Sequence, residues 1–218
     1  MALLDGSAPQ RLVGVRTRGL SGRVALEQGS AGFESSLEQD LIELLDFDPR
    51  VSELLVQPFS LYHEENGRRR RYTPDVQATY AGGRPEVVVY EVKYQEELWR
   101  DWAKFRARFG AAYRHCRSNG WRFKVVTEKH IRTPYLRNVK FLRRYLRTSE
   151  KELIAGQLLY SFKATGPTTA QALLSATYQS SESRLRAIPV LWKMIADGRV
   201  GCDLNVPLTM ASIVWTES

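Results

Sequence analysis

Two short stretches of the 218-residue chain carry residue types that do chemistry together: Pro74-Asp75 and Glu91-Val92-Lys93. Glu91 and Lys93 stand two apart, so on an extended strand their side chains leave the same face. Asp75 lies on the preceding segment, which reads as the neighbouring strand of a tight meander. Three ionisable groups then converge on one side of a sheet otherwise rich in valine and tyrosine. Two carboxylates held close repel unless a cation joins them. A hard divalent cation is the usual answer, and Mg2+ (or Mn2+) suits carboxylates, waters and phosphate oxygens. Lys93 is then placed to orient or help deprotonate a water, or to hold a phosphate. Metal-assisted phosphodiester hydrolysis needs a Lewis acid, an activated water and compensation for developing charge. The plainer reading is a cross-strand ion-pair ladder on a solvated face, with Asp75 as a turn or cap residue.

The elements that must position these groups are legible from periodicity. Residues 33–47, FESSLEQDLIELLDF, form an amphipathic helix with Leu37, Leu41, Ile42, Leu44 and Leu45 in one sector and Gln39, Asp40 and Glu43 opposite. Glu34 and Glu38 fall inside the apolar sector, where an ionised carboxylate is costly unless it meets a cation or a site. Glu38 is therefore a candidate fourth group, with Glu34 one turn earlier as its competitor. Asp48-Pro49 ends the helix. Three strands follow, at 51–62, 70–80 and 86–94. Asn66-Gly67 marks the first turn and residues 81–85 the second. Gln57 is placed either to hold the site from behind or simply to join the strand ladder. A helix at 95–119 carries Leu98, Trp102, Phe105, Phe109 and Tyr113 at helical spacing and is capped by Gly120. A fourth strand, 121–127, and a basic helix, 135–146, complete the order helix, three strands, helix, strand, helix. Trp99 and Trp102 read as core or interface residues.

Charge narrows the partner. Lys+Arg 32 against Asp+Glu 24 gives +8, and residues 100–147 hold 15 basic residues against Asp101 and Glu128, a net of +13. A polyanion, nucleic acid above all, fits that excess; a solvated basic helix face is the alternative. Arg68, Arg69, Arg70 and Arg71 sit at a hairpin turn before Asp75. Arg137, Lys140, Arg143, Arg144 and Arg147 recur along a helix. Both sets are candidate phosphate contacts, and the hairpin arginines serve equally well to block edge pairing. No apolar run reaches the roughly 18 residues of a membrane span, and no signal-peptide core opens the chain. The two cysteines, Cys116 and Cys202, stand too far apart for a CxxC module and read as small buried residues. His63, His115 and His130 lack triad partners. The expected location is cytoplasmic.

Composition changes near Thr148. Helices at 150–162, 168–178 and 183–197, followed by a strand pair, are the pattern of a winged helix. This gives an N-terminal domain over 1–147, with 1–30 as an unplaced extension (residues 11–18 forming a short strand or arm), and a C-terminal winged-helix domain over 148–218. The last helix has only Arg184, Arg186 and Lys193, is interrupted by Pro189, and lies in a module that is neutral overall. Protein contact suits it better than DNA contact.

This organisation resembles the PD-(D/E)xK nuclease superfamily, a restriction-endonuclease-like α/β fold whose core runs αβββαβ. More narrowly, FESSLEQDLIELLDFDPRVSELLVQPFSL, then YTPD, then VVVYEVKY resemble the TnsA-type endonuclease subunit of heteromeric cut-and-paste transposases. The resemblance covers residues 30–147 closely and the C-terminal module in architecture. It implies a catalytic set of Glu38, Asp75, Glu91 and Lys93, with the three carboxylates as metal ligands. Glu38 is preferred to Glu34 because the family's glutamate follows the leucine of S-x-L-E. It also implies a bacterial, nucleoid-associated enzyme that cuts double-stranded DNA at the 5′ ends of a transposon, a DDE-type transposase that handles the 3′ ends, and an AAA+ ATPase regulator. The rival expectations are a stand-alone nuclease of the same superfamily, of resolvase or restriction type, and a non-catalytic DNA-binding or scaffold subunit.

Overall fold

Strand β1 (Arg11–Val13) and helix α1 (Glu34–Phe47) open the described part of this computed structural model, which comprises residues 11–13, 34–65, 67–149 and 151–216. The rest of the expected N-terminal extension lies outside the described residues. Next come β2 (Val51–Val56), β3 (Leu61–Glu65), β4 (Arg68–Tyr72), β5 (Val76–Tyr80) and β6 (Val87–Val92). Helix α2 (Gln95–Ser118) then leads to β7 (Arg122–Val126) and a single helical turn, α3 (Glu128–Ile131). One five-stranded sheet runs in the order β1-β2-β5-β6-β7. Its pairs are antiparallel except β6–β7, which are parallel and joined by α2, as a parallel pair requires a long crossover. The expected helix–strand–strand–strand–helix–strand order is present.

The meander differs from expectation in one respect. Strands β3 and β4 leave the sheet and pair only with each other, so β2 lies directly beside β5. Proline explains the split. Pro58 and Pro74 flank the excursion, and neither has an N–H to continue a ladder. Gln57, just before Pro58, turns the chain at φ 51. Arg68–Arg71 therefore form most of a strand, and Gly67 at φ 70 makes the turn.

Packing refines two helix faces. Leu37, Leu41, Ile42 and Leu45 of α1 are buried as the spacing predicts, but so is Asp40, at 6% exposure. Helix α1 packs against β2, β6 and α3, so its buried sector is wider than its leucine stripe. On α2 the buried residues are Phe105, Phe109, Ala111, Ala112 and Cys116, whereas Trp99 (73%), Trp102 and Tyr113 are exposed. Repeated steps of four over-rotate a 3.6-residue helix, which carries Tyr113 off the stripe. A break at Asp101 (φ −113, ψ 18) interrupts the first turns. Phe105, Phe109 and Ala112 join Leu61 and Tyr72 in one apolar cluster, with Phe59, Leu98, Phe123 and Val125 packed around it.

The compact units do not divide where the composition changes. They are Met1–Ile131 and Arg132–Ser218, so helix α4 (Pro134–Leu146) goes with the second unit rather than with a domain ending at 147. The reason is its apolar face. Leu136, Val139 and Leu142 are buried, and α4 packs on α7 (Ser181–Ala196), with Phe141 edge-on to Trp192 at 5.6 Å. Buried Asn138 donates to the carbonyls of Leu204 (2.8 Å) and Val206 (2.7 Å) and accepts from the Leu208 amide (3.0 Å). The unit also holds α5 (Glu152–Thr165), β8 (Thr168–Thr169), α6 (Ala170–Thr177), β9 (Gly201–Cys202) and β10 (Ile213–Trp215). Its small sheet runs β8-β10-β9, all antiparallel. Thr169 and Ser180 cap α6 and α7, each hydroxyl accepting a backbone N–H at 3.1 Å. Among the described residues no helix is long and apolar enough to cross a membrane.

Candidate active site

The end of β6 and the start of β5 bring three of the expected residues together. Val76 pairs with Tyr90, so one further step of the register sets Asp75 opposite Glu91. The Asp75 amide donates to the Tyr90 carbonyl at 3.2 Å, and the Asp75 carboxylate accepts the Val92 amide at Oδ2, 2.7 Å away. Lys93 Nζ stands 3.6 Å from Glu91 Oε1 and donates to the Val92 carbonyl at 2.9 Å. Glu91 is 2% exposed and Lys93 6%. That burial removes the reading of a solvated ion-pair ladder. Asp75 does serve partly as a cap, through its bond to Val92, while standing half-buried beside Glu91.

Glu91 is the most constrained of the three. Its Oε2 accepts the Tyr72 hydroxyl at 2.5 Å, and Arg108 Nη2 lies 3.5 Å from Oε1. Burial first, and then the neighbouring Asp75 charge, push the Glu91 carboxyl up to about 8, against the pull of Lys93, Tyr72 and Arg108. Burial and the Glu91 charge raise the Tyr72 phenol in turn. The Arg108 guanidinium lies over the rings of Phe105 (4.4 Å), Phe109 (5.4 Å) and Tyr72 (5.5 Å). Its Nε and the side-chain oxygen of Gln95 are buried without a hydrogen-bond partner. The sequence reading missed Tyr72 and Arg108. Arg108 carried a usable signal: it sits three residues after Phe105 and one before Phe109, inside the apolar stripe, as Glu38 does on α1.

The arrangement is a buried and a half-buried carboxylate with an ammonium beside them, at the ends of two inner strands of a mixed sheet and next to arginine-bearing elements. Comparison of the chain with known families gives two matches. Residues 48–128 match the family described as TnsA-like endonuclease N terminal, and residues 130–204 match TnsA endonuclease C terminal. The chain belongs to the TnsA-type endonucleases. The two matches meet close to the junction of the two compact units, after Ile131. A search of the curated proteins finds no match.

The other expected residues of this TnsA-type chain fall as follows. Glu38 is half-buried on α1, which packs against β6. Among the described residues no three His, Cys, Asp or Glu side chains are grouped to hold a metal. Glu34 opens the helix, and its side chain is outside the described residues. Gln57 leaves its side chain exposed and holds Asp75 through the backbone instead, its N–H donating to the Asp75 carbonyl at 2.8 Å. Arg68, Arg69, Arg70 and Arg71 are exposed along β4. Arg69 lies 4.0 Å over the Tyr62 ring, Arg70 is 3.7 Å from Glu65, and Arg71 Nε donates to Ser60 Oγ at 2.9 Å. In the second unit, Arg137, Lys140 and Arg144 are exposed on α4 and Arg143 is half-buried. His63 and His115 are held below the usual histidine range by burial, and His130 bonds Thr127. Cys116 is buried, Cys202 is half-buried, and both are free thiols.

The donor set fits a magnesium-sized cation. Mg2+ is commonly held by one or two carboxylates and keeps waters and substrate phosphate oxygens for its other positions. Asp75 and Glu91, opposite each other across the register of β5 and β6, supply such a pair.

Proposed function

We propose that this TnsA-type chain is a Mg2+- or Mn2+-dependent DNA endonuclease that hydrolyses phosphodiester bonds at the 5′ ends of a transposon, working with a DDE-type transposase and an AAA+ ATPase regulator in the bacterial cytoplasm, at the nucleoid. The observation that carries this reading is the convergence of Asp75 with buried Glu91 and Lys93 in a chain of this family. Asp75 and Glu91 are the metal-holding pair, and Glu38 is the carboxylate that would add to them. A cation bound there would supply Lewis-acid stabilisation of the charge that develops on the phosphoryl oxygens. Lys93 Nζ, beside the pair, orients the attacking water or holds the scissile phosphate. Arg68–Arg71 on the first unit and Arg137, Lys140, Arg143 and Arg144 on the second bind the DNA backbone.

The restriction-endonuclease-like αβββαβ core accounts for the order of α1, β2, β5, β6, α2 and β7. We read α5, α6 and α7 with the β8-β10-β9 sheet as the winged helix. Its α7 cations are engaged internally. Arg186 pairs with Glu182, Arg184 bonds Ser175 and Ser181, and Lys193 bonds Asp197 and the Leu146 carbonyl. Leu185 on the same helix is 67% exposed. A protein partner suits that face better than a phosphate backbone.

The deciding experiment is strand cleavage by the assembled transposition system. Asp75→Ala and Lys93→Ala should each abolish 5′-strand cleavage, a loss of about a thousandfold or more, while leaving the melting temperature and partner binding intact. Full cleavage by both variants would remove the assignment. Robust cutting by the purified chain alone would point to the stand-alone nuclease instead.

A further inference from the structure

We propose that Tyr72 is a positioning residue for strand cleavage, orienting the Glu91 carboxylate and tying it to the arginine hairpin. The inference rests on the reading of Asp75, Glu91 and Lys93 as the nuclease site. Tyr72 is the last residue of β4, directly after the four arginines, and pairs with Leu61 across the hairpin. It is 6% exposed and held on three sides: by Phe109 at 6.4 Å, by His63 edge-on at 6.5 Å, and by the Arg108 guanidinium. A ring so confined aims its hydroxyl in one direction, and that direction is Glu91 Oε2, 2.5 Å away. Glutamate has three rotatable side-chain bonds, and burial alone does not select among its rotamers. The Tyr72 hydrogen bond does, and it leaves Oε1 on the side of Lys93 Nζ.

The hairpin gives this contact a second role. Strands β3 and β4 share no ladder with the five-stranded sheet that carries Asp75 and Glu91. The position of the hairpin against that sheet is set by its chain entry and exit at Pro58 and Pro74, by packing on α2, and by side-chain links. At its foot, Arg71 bonds Ser60, whose hydroxyl meets that of Thr73 at 2.9 Å. The Tyr72–Glu91 bond ties the hairpin to the reacting centre. DNA seated on the β4 arginines therefore bears directly on the residue that orients a metal-holding carboxylate.

Tyr72→Phe removes one oxygen and keeps the ring. In the cleavage-competent assembly it should lower the single-turnover rate about tenfold or more and raise the half-saturating Mg2+ concentration about fivefold, as loss of a hydrogen bond behind a metal ligand does. The stabilisation of the full chain by Mn2+ in a thermal melt should shrink in parallel. Metal-free affinity for end duplex should stay within about twofold of wild type, and the metal-free melting temperature within a few degrees. A purely structural role would instead lower melting temperature and DNA affinity together, leaving the Mg2+ dependence unmoved. Asp75→Ala, run alongside, separates the two readings. A dead Asp75→Ala with a wild-type Tyr72→Phe overturns the Tyr72 inference alone, whereas cleavage by Asp75→Ala overturns the nuclease reading beneath it. Should Tyr72→Phe melt early, the Mn2+ shift is compared for Glu91→Gln and the double variant. A further loss in the double variant shows Tyr72 acting apart from Glu91 and overturns the proposal.

Discussion

Glu91 concentrates the conflict in this site, because a group that must be charged to hold a cation is buried next to another carboxylate. The consequence for stability has a definite sign. With the folded carboxyl pushed up to about 8, above its ordinary 4.5, the metal-free folded state keeps its proton longer than the unfolded chain does. The stability this supplies is complete below pH 4.5 and is lost as pH rises towards 8. Metal-free wild type should therefore lose stability relative to Glu91→Gln between pH 5 and pH 8, by a few kcal/mol at most, in denaturant titrations at stepped pH. A difference that stays flat with pH would mean that Glu91 ionises like an exposed carboxyl. The pairing of Asp75 with Glu91 and Lys93 was legible because a strand repeats every two residues, so three positions fix a face. Tyr72 was not, because its contact depends on a hairpin leaving the sheet, and no spacing within one strand encodes that. Gln57 was read as a side chain, whereas its contribution to Asp75 is a backbone N–H made available by a positive φ.

At the level of elements, the β3–β4 hairpin is the feature least like a plain meander, and its four arginines run directly into Tyr72, which bonds Glu91. Its turn was legible in Asn66-Gly67. Its departure from the sheet was written in Pro58 and Pro74, which read as ordinary strand residues until the missing ladder bonds are counted. Four consecutive exposed arginines on one strand point to both faces of the ribbon, an arrangement that suits a phosphate backbone running along it. Arg71 is engaged at the foot, so Arg68, Arg69 and Arg70 are the ones to remove. Replacing these three by serine should reduce the slope of log affinity against log salt for end duplex by up to about 0.9 per lost phosphate contact. Fluorescence anisotropy across a salt series measures it. An unchanged slope would assign the arginines to blocking edge pairing, the other role their position allows. Melting temperature should hold, since all three are exposed and the pair Arg70–Glu65 is a surface contact.

For the molecule as a whole, charge and packing divide the chain in different places. The basic run from residue 100 to 147 spans both compact units, because α2 and β7 belong to the first and α4 to the second. Composition located the change in charge at Thr148 and passed over the apolar face of α4, whose Leu136, Val139 and Leu142 recur at helical spacing beneath the basic residues. That face decides which fragments can fold. Each of the three side chains is buried in the second unit, and at about 1.5–3 kcal/mol apiece their loss removes roughly 5 kcal/mol or more, comparable with the whole stability of a small domain. Asn138 adds a polar reason, since removing α4 also strips three backbone groups between Leu204 and Leu208 of their partner. A fragment of residues 132–218 should therefore melt cooperatively by circular dichroism, and one of residues 148–218 should not. On the other side of the cut, residues 1–131 should stay monomeric, while 1–147, carrying α4 without α7, should bind a hydrophobic dye and self-associate. Equal cooperative melts for 132–218 and 148–218 would return α4 to the first unit and restore the boundary to the place where the charge changes.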